Sequence, residues 1–196
     1  MTRLLIFSFL ICPLLVAAPA EEQRIAALYA RGLAGDKQAV SDCISALEFR
    51  LAQAPNDQLA RVYLGSSWTL RSRDLPIGPG KLWAVRKGIA LMDEAAAAAP
   101  NDTKVLLLRA VTNEALPGFL GRRKIAHQEL EALVTMIEQN PGQLSPTDRQ
   151  LLYLNAGEAA KRAGDERRAK ELWHRGLTIN ADQGLKKQIE TALAQE

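Results

Sequence analysis

Catalysis needs a constellation of groups that move protons, bind metal or attack a substrate, and this chain is poor in them. Its only histidines are His127 and His174. His127 lies in His127-Gln128-Glu129-Leu130-Glu131, the polar face of a helical pattern, and His174 stands beside Trp173 among arginines. Neither has a second ligand at metal-binding spacing, so both read as solvated or locally hydrogen-bonded side chains. Gly78-Pro79-Gly80 follows no strand and lacks the lysine and hydroxyl of a phosphate loop. Serines are scattered with no base near them in sequence. Glu114 and Glu158 could meet across neighbouring helices, and a hydrolase or lyase reading would need such a carboxylate pair in a deep pocket. No catalytic residue, metal or cofactor is therefore assigned.

What the chain does offer is contact chemistry, in two places about forty residues apart. Arg71, Arg73, Lys81, Arg86 and Lys87 surround a proline- and glycine-rich segment at 74–80, and Arg122, Arg123 and Lys124 follow Pro117-Gly118. Trp83 and Phe119 add aromatic surface. A basic rim around exposed rings suits an acidic peptide, a protein surface or anionic lipid headgroups, because arginine gives forked hydrogen bonds and rings give contact area at low entropic cost. The competing reading folds Trp83 and Phe119 inward to seal elongated helices and leaves the arginines as ordinary solvated charges.

Around these residues the chain is 47% hydrophobic and only 5% aromatic over 196 residues, enough for one domain whose core is mainly alanine and leucine. Arg3, an apolar run at 4–16 and Ala18-Pro19-Ala20 ahead of Glu21-Glu22 have the layout of a secretory signal peptide, the run being short for a permanent span. The expectation is cleavage after residue 20 and a folded domain at 21–196, periplasmic or secreted, in a bacterial cell envelope. A retained anchor is the alternative. Ile11 before Cys12 is too bulky for a lipid-attachment box. Without Arg3, 24 of the 25 basic side chains face 22 acidic ones, a net charge of +2 that gives no general attraction to nucleic acid. Cys43 is then a lone thiol, without an internal disulfide partner, and its apolar helical setting reads as a buried structural position.

Helical spacing runs through nearly the whole chain and period-two alternation is missing, so the fold class is all-α. Helices are expected at 21–33, 37–54, 58–72, 81–99, 103–116, 122–140, 150–163, 166–179 and 186–194. Ala-Pro-Asn-Asp occurs twice, at 54–57 and 99–102, each time between two helical stretches. Proline ends one helix and Asn or Asp caps the next. A punctuation mark recurring after 45 residues points to stacked helical hairpins. Ser145-Pro146-Thr147-Asp148 is a further start signal.

Leu64-Gly65 with Trp68, and Gly157, Gly164-Asp165, Ala169, Trp173 and Gly176, fall at offsets that resemble the tetratricopeptide repeat (TPR), a helix-turn-helix unit. The resemblance implies a right-handed helical-hairpin solenoid of about four units with the last helix as a cap, and a scaffold or adaptor that binds a protein or peptide. An assembly factor for an envelope membrane-protein complex, peripheral or anchored, with a membrane-surface contact, is the alternative. The units depart from the usual ~34 residues. Proline-to-proline spacings are 45 and 41, with the surplus between the helices of the second and third hairpins. In a solenoid such insertions emerge along one edge and should lie side by side. Arg109 takes a place the family fills with an apolar residue, which implies irregular packing in the third hairpin. The concave face of the family, lined by first helices, would here present Leu59, Val62, Ser66, Leu107, Val111, Leu154 and Glu158. That channel suits a hydrophobic helix or extended segment, unless another part of the chain fills it.

Overall fold

The computed structural model describes residues 17–195; the apolar run at 4–16 and Cys12 lie outside them. Nine α-helices occupy the described residues, with no strand: α1 Ala17–Leu33, α2 Lys37–Gln53, α3 Gln58–Asp74, α4 Pro79–Ala98, α5 Thr103–Ala115, α6 Arg123–Gln139, α7 Pro146–Arg162, α8 Glu166–Ile179 and α9 Gln183–Ala194. They pack as hairpins α1/α2, α3/α4, α5/α6 and α7/α8. Consecutive first helices also touch, α3 lying on α1 and α5, and α5 on α7, while α9 closes the end against α7 and α8.

The recurring tetrapeptide performs the same task at both positions. Ala54 and Ala99 leave helical geometry with nearly the same dihedrals, φ −130 ψ 76 and φ −133 ψ 64. Proline follows, and the aspartate carboxylate then caps the next helix: Asp57 accepts from the Ala60 amide, Asp102 from Lys104 and Val105. Such a cap meets amides that have no partner within the helix and contributes about 1 kcal/mol. Asn140-Pro141 adopts the same backbone a third time, and Ser145 caps α7. That cap starts α7 at Pro146, four residues before the expected start, because proline at the first helical position loses no hydrogen bond. Pro79 extends α4 backwards in the same way.

Small residues let helices approach. A methyl group built on Gly65 would sit 2.6 Å from the Gly88 carbonyl oxygen, and one on Gly88 would sit 2.5 Å from that of Gly65, so α3 and α4 cross with their backbones in contact. Gly65→Ala should force them apart and cost about 1–3 kcal/mol, the usual penalty for overpacking. A urea titration with an unmoved midpoint would contradict this crossing. In the last hairpin Gly157 faces the ring of Trp173, and Gly176 faces Ile189 of the cap.

In the third hairpin, where Arg109 implied irregular packing, the arginine is accommodated by charge pairing. Arg109 donates to Glu129 of α6 at 2.5, 3.0 and 3.2 Å and to Asp93 of α4 at 3.1 Å. Its charge is paired, and the aliphatic part of the chain supplies the packing an apolar residue would have given. Cys43 is buried with Sγ 3.5 Å from Ser67 Oγ, and burial raises its pKa, which keeps the thiol protonated.

Candidate docking groove

Residues 75–78 connect α3 to α4, and residues 116–122 connect α5 to α6. The first is no longer than those at 54–57 and 99–102, because the surplus expected at 73–80 is taken up by the lengthened α3 and α4; only the second is long. Both connections line one cavity of about 590 Å³, across the ends of α1, α3 and α5 and the first turns of α4. The expectation that they lie side by side is met. The prolines contribute to this: Pro76 and Pro117 keep these segments out of helical geometry, Pro79 starts α4, and Gly121 turns the second with φ 70.

Large apolar side chains converge on the cavity uncovered. Ile77 is 97% exposed, Phe119 86%, Leu33 54% and Leu82 41%, while Leu70, Val85, Val111, Leu116 and Leu120 complete the walls. Scattered surface leucines are ordinary; four of the most exposed large hydrophobics around one cavity make a patch that is not.

The floor is a chain of hydroxyls that ties three first helices together. Tyr29 Oη lies 2.7 Å from Ser66 Oγ, and Ser66 Oγ 2.9 Å from Thr112 Oγ1. Thr69 and Ser72 hydroxyls donate to the Ser66 and Thr69 carbonyls. Burial pushes the Tyr29 pKa up to about 12, more than the Ser66 hydrogen bond lowers it. A raised value means that the phenol's contribution is intact below pH 10 and is lost as pH rises through about 12. Alkaline difference absorbance should therefore show one tyrosine ionising roughly two units late; Tyr29→Phe should remove that step, and its persistence would place the shift elsewhere.

No carboxylate lines the cavity. At its mouth Lys81 Nζ donates to the carbonyls of Arg73 and Leu75 at 3.3 and 3.2 Å, and Arg73 Nη2 to that of Gly32 at 2.9 Å. Asp74 stands 3.8 Å from Arg73 Nε. The first turn of α4 has no side-chain cap and no acid, so its partial positive charge also faces the mouth.

Among solved structures the chain is similar to a thermophilic TPR protein of Thermus thermophilus. Identity is 17%, the match covers 91% of this chain and 95% of that one, and the TM-score is 0.62. The fold is TPR-like. No protein-family model and no curated protein matches the chain.

Within this TPR-like stack the residues expected at one basic edge are divided among separate places. Arg73, Lys81 and Phe119 line the groove. Trp83 does not: it is 56% exposed, packed edge-on against Trp68 at 5.2 Å, with Lys87 over both rings. Arg71 lies over Trp68 and donates to Ser41. Arg122 is held by Asp93 at 2.5 Å and by Asn113. Arg123 and Lys124 border a polar pocket of about 420 Å³ with His127 and Glu114. His127 Nδ1 is 3.2 Å from the Ala159 carbonyl oxygen, His174 is exposed, and Glu114 is ion-paired with Arg162. No group of three or more histidine, cysteine or acidic side chains placed to hold a metal occurs among the described residues.

Of the concave set, Val62, Ser66, Leu107 and Leu154 are buried by the chain's own packing, whereas Leu59, Val111 and Glu158 are half-exposed. Only Ser66 and Val111 reach the groove. Sequence reasoning missed Leu33, Tyr29, Ile77 and Leu82. Ile77 was readable: an isoleucine in Pro76-Ile77-Gly78-Pro79 has no helix to bury it.

Proposed function

We propose that this chain is an exported TPR-like scaffold that holds a segment of a partner polypeptide in the groove between its α3–α4 and α5–α6 connections, in a bacterial cell envelope. Binding is its activity. The observation that carries this reading is the convergence of Leu33, Ile77, Leu82 and Phe119, uncovered, on one 590 Å³ cavity of a size that ligand sites commonly have. Such a surface lowers solubility unless something covers it. Export rests on the composition of residues 1–20.

The test is affinity capture from envelope extracts with Ile77→Asp and Phe119→Asp combined. Both side chains are exposed, so the melting transition should stay within ordinary surface limits. The bound proteins should disappear; the same set on parent and variant would rule out this groove. Mass spectrometry of the mature amino terminus tests export separately, with a chain starting at Glu21 as the expected result.

The uncovered Ile77 and Phe119 beside Arg73 and Lys81 also favour a second reading, a membrane-peripheral assembly factor whose connections dip into an anionic lipid surface. No helix of the described residues is long and apolar enough to cross a membrane. In this reading capture fails and vesicles replace the protein partner.

A further inference from the structure

We infer that the groove takes an amphipathic helix of the partner, apolar along one face and carrying carboxylates at the end that meets Lys81, Arg73 and the start of α4. The inference rests on the groove being the docking surface and goes on to name what fills it.

The first argument is hydrogen-bonding capacity. An extended peptide lying in a groove presents unpaired main-chain groups and must find partners for them, usually at an open strand edge. This groove is walled by helices, whose backbone groups already bond within each helix, and by two short irregular connections; no strand among the described residues offers an edge to pair with. Its floor hydroxyls bond one another or their own helix: Tyr29 to Ser66, Ser66 to Thr112, Thr69 and Ser72 to main-chain carbonyls. A foreign extended backbone finds no continuous row of partners here, so an occupant that satisfies its own is favoured. A helix does so, and it leaves side chains at positions i, i+3, i+4 and i+7 to enter an apolar cleft.

The second argument is shape. One turn of helix with its side chains has a diameter of roughly 10–12 Å and a rise of about 5.4 Å. A cavity of about 590 Å³ is therefore filled by the apolar face of a few turns, with Ile77 and Phe119 as lips on either connection. Their near-complete exposure fits contact with a broad partner and leaves them wasted on a thin one.

The third argument is charge. No acid lines the groove, and three positive elements gather at one mouth: Lys81, Arg73 and the uncapped first turn of α4. Lys81 is anchored only on carbonyl oxygens, which hold its position without neutralising it. A helix entering with its own negative C-terminal end and nearby carboxylates towards that mouth meets all three. Asp74 beside Arg73 shares part of that cation's charge, which makes Lys81 the residue to vary.

The experiment uses fluorescence anisotropy of a labelled synthetic helix, leucines on one face and glutamates in its last turn, titrated with the full protein. Three further probes accompany it: the same peptide with lysines in the last turn, a version with a central proline, and vesicles of anionic phospholipid read by co-sedimentation. The acidic helix should bind, and the proline version should bind at least about tenfold more weakly, since proline breaks the interior hydrogen bonds. The lysine-ended helix should also weaken. Lys81→Glu should reverse the order of acidic and basic helices, with the melting transition unchanged. Ile77→Asp with Phe119→Asp should abolish binding of both.

Equal binding of the helical and proline-broken peptides would overturn the helix. Indifference to Lys81→Glu would overturn the acidic end. Vesicle binding with no peptide binding would replace the proposal by a lipid surface. If no peptide binds, while the Ile77/Phe119 variant still loses its captured proteins, the helix is wrong and the groove stands; if capture is also unchanged, both fall.

Discussion

Replacing Trp173 with alanine is expected to lower the unfolding free energy by about 3–5 kcal/mol, the range for deleting a large aromatic from a core. Trp173 is fully buried and seated on Gly157, where a methyl group would lie 2.3 Å from the indole nitrogen. Its Nε1–H donates to the Leu154 carbonyl oxygen at 3.2 Å, and Lys161 Nζ lies 5.6 Å from the ring centre. The ring thus spans the two helices of the last hairpin, and Gly157 beneath it has no side chain to fill the gap. For a domain of this size the melting midpoint should fall by roughly 6–20 °C. Trp83→Ala is the control. That ring is half-exposed and contributes mainly an edge-on pair with Trp68, worth about 1 kcal/mol. Equal shifts in the two variants would contradict the placement of Trp173.

Glu129→Leu is expected to cost about 3 kcal/mol, at the low end of the range for breaking a buried ion pair. Arg109 would keep Asp93 but lose three of its four close contacts, those to Glu129. Burial alone would weaken the guanidinium's hold on its proton, and Glu129 and Asp93 more than reverse that, so its pKa is raised. The cation therefore stays charged when its partner is removed, and the cost falls on desolvated charge. Changing Arg109 to leucine as well should recover much of the loss, because an apolar pair of similar volume fills the space without an orphan. A double variant as unstable as the single one would show that packing, not charge, sets this position.

The same network explains why the third hairpin could not be judged from sequence. Arg109 broke the apolar pattern, and its compensation lies sixteen residues before it, at Asp93, and twenty after, at Glu129. No local periodicity links them. The helices themselves were legible to within a few residues, since most boundaries are set by a proline, a side-chain cap or a glycine acting on its immediate neighbours. The largest differences are at the starts of α1, α7 and α9; α1 begins at Ala17, four residues before the expected start, and those of α7 and α9 came from caps at Ser145 and Asp182 that let helices begin earlier.

The groove was legible in part. Stacking of repeats required the α3–α4 and α5–α6 connections to share an edge, and they do. Which side chains faced the edge depended on helix rotation: Trp83 is two residues from Lys81, about 200° around α4, and so lies with Trp68 away from the groove. Leu82, one residue away, lines it. The concave set was read as a channel because apolar first-helix positions look alike whether they face a ligand or the next hairpin. Burial of Val62, Leu107 and Leu154 shows the latter.

The most direct measurement is photo-crosslinking in intact cells, with a benzophenone amino acid placed in turn at Ile77, Phe119 and Phe49. All three side chains are exposed, but Phe49 lies on α2, outside the groove. Adducts to another polypeptide from positions 77 and 119, and none from 49, are the predicted result. Adducts from 49 alone, or equally from all three, would contradict a partner seated between the α3–α4 and α5–α6 connections.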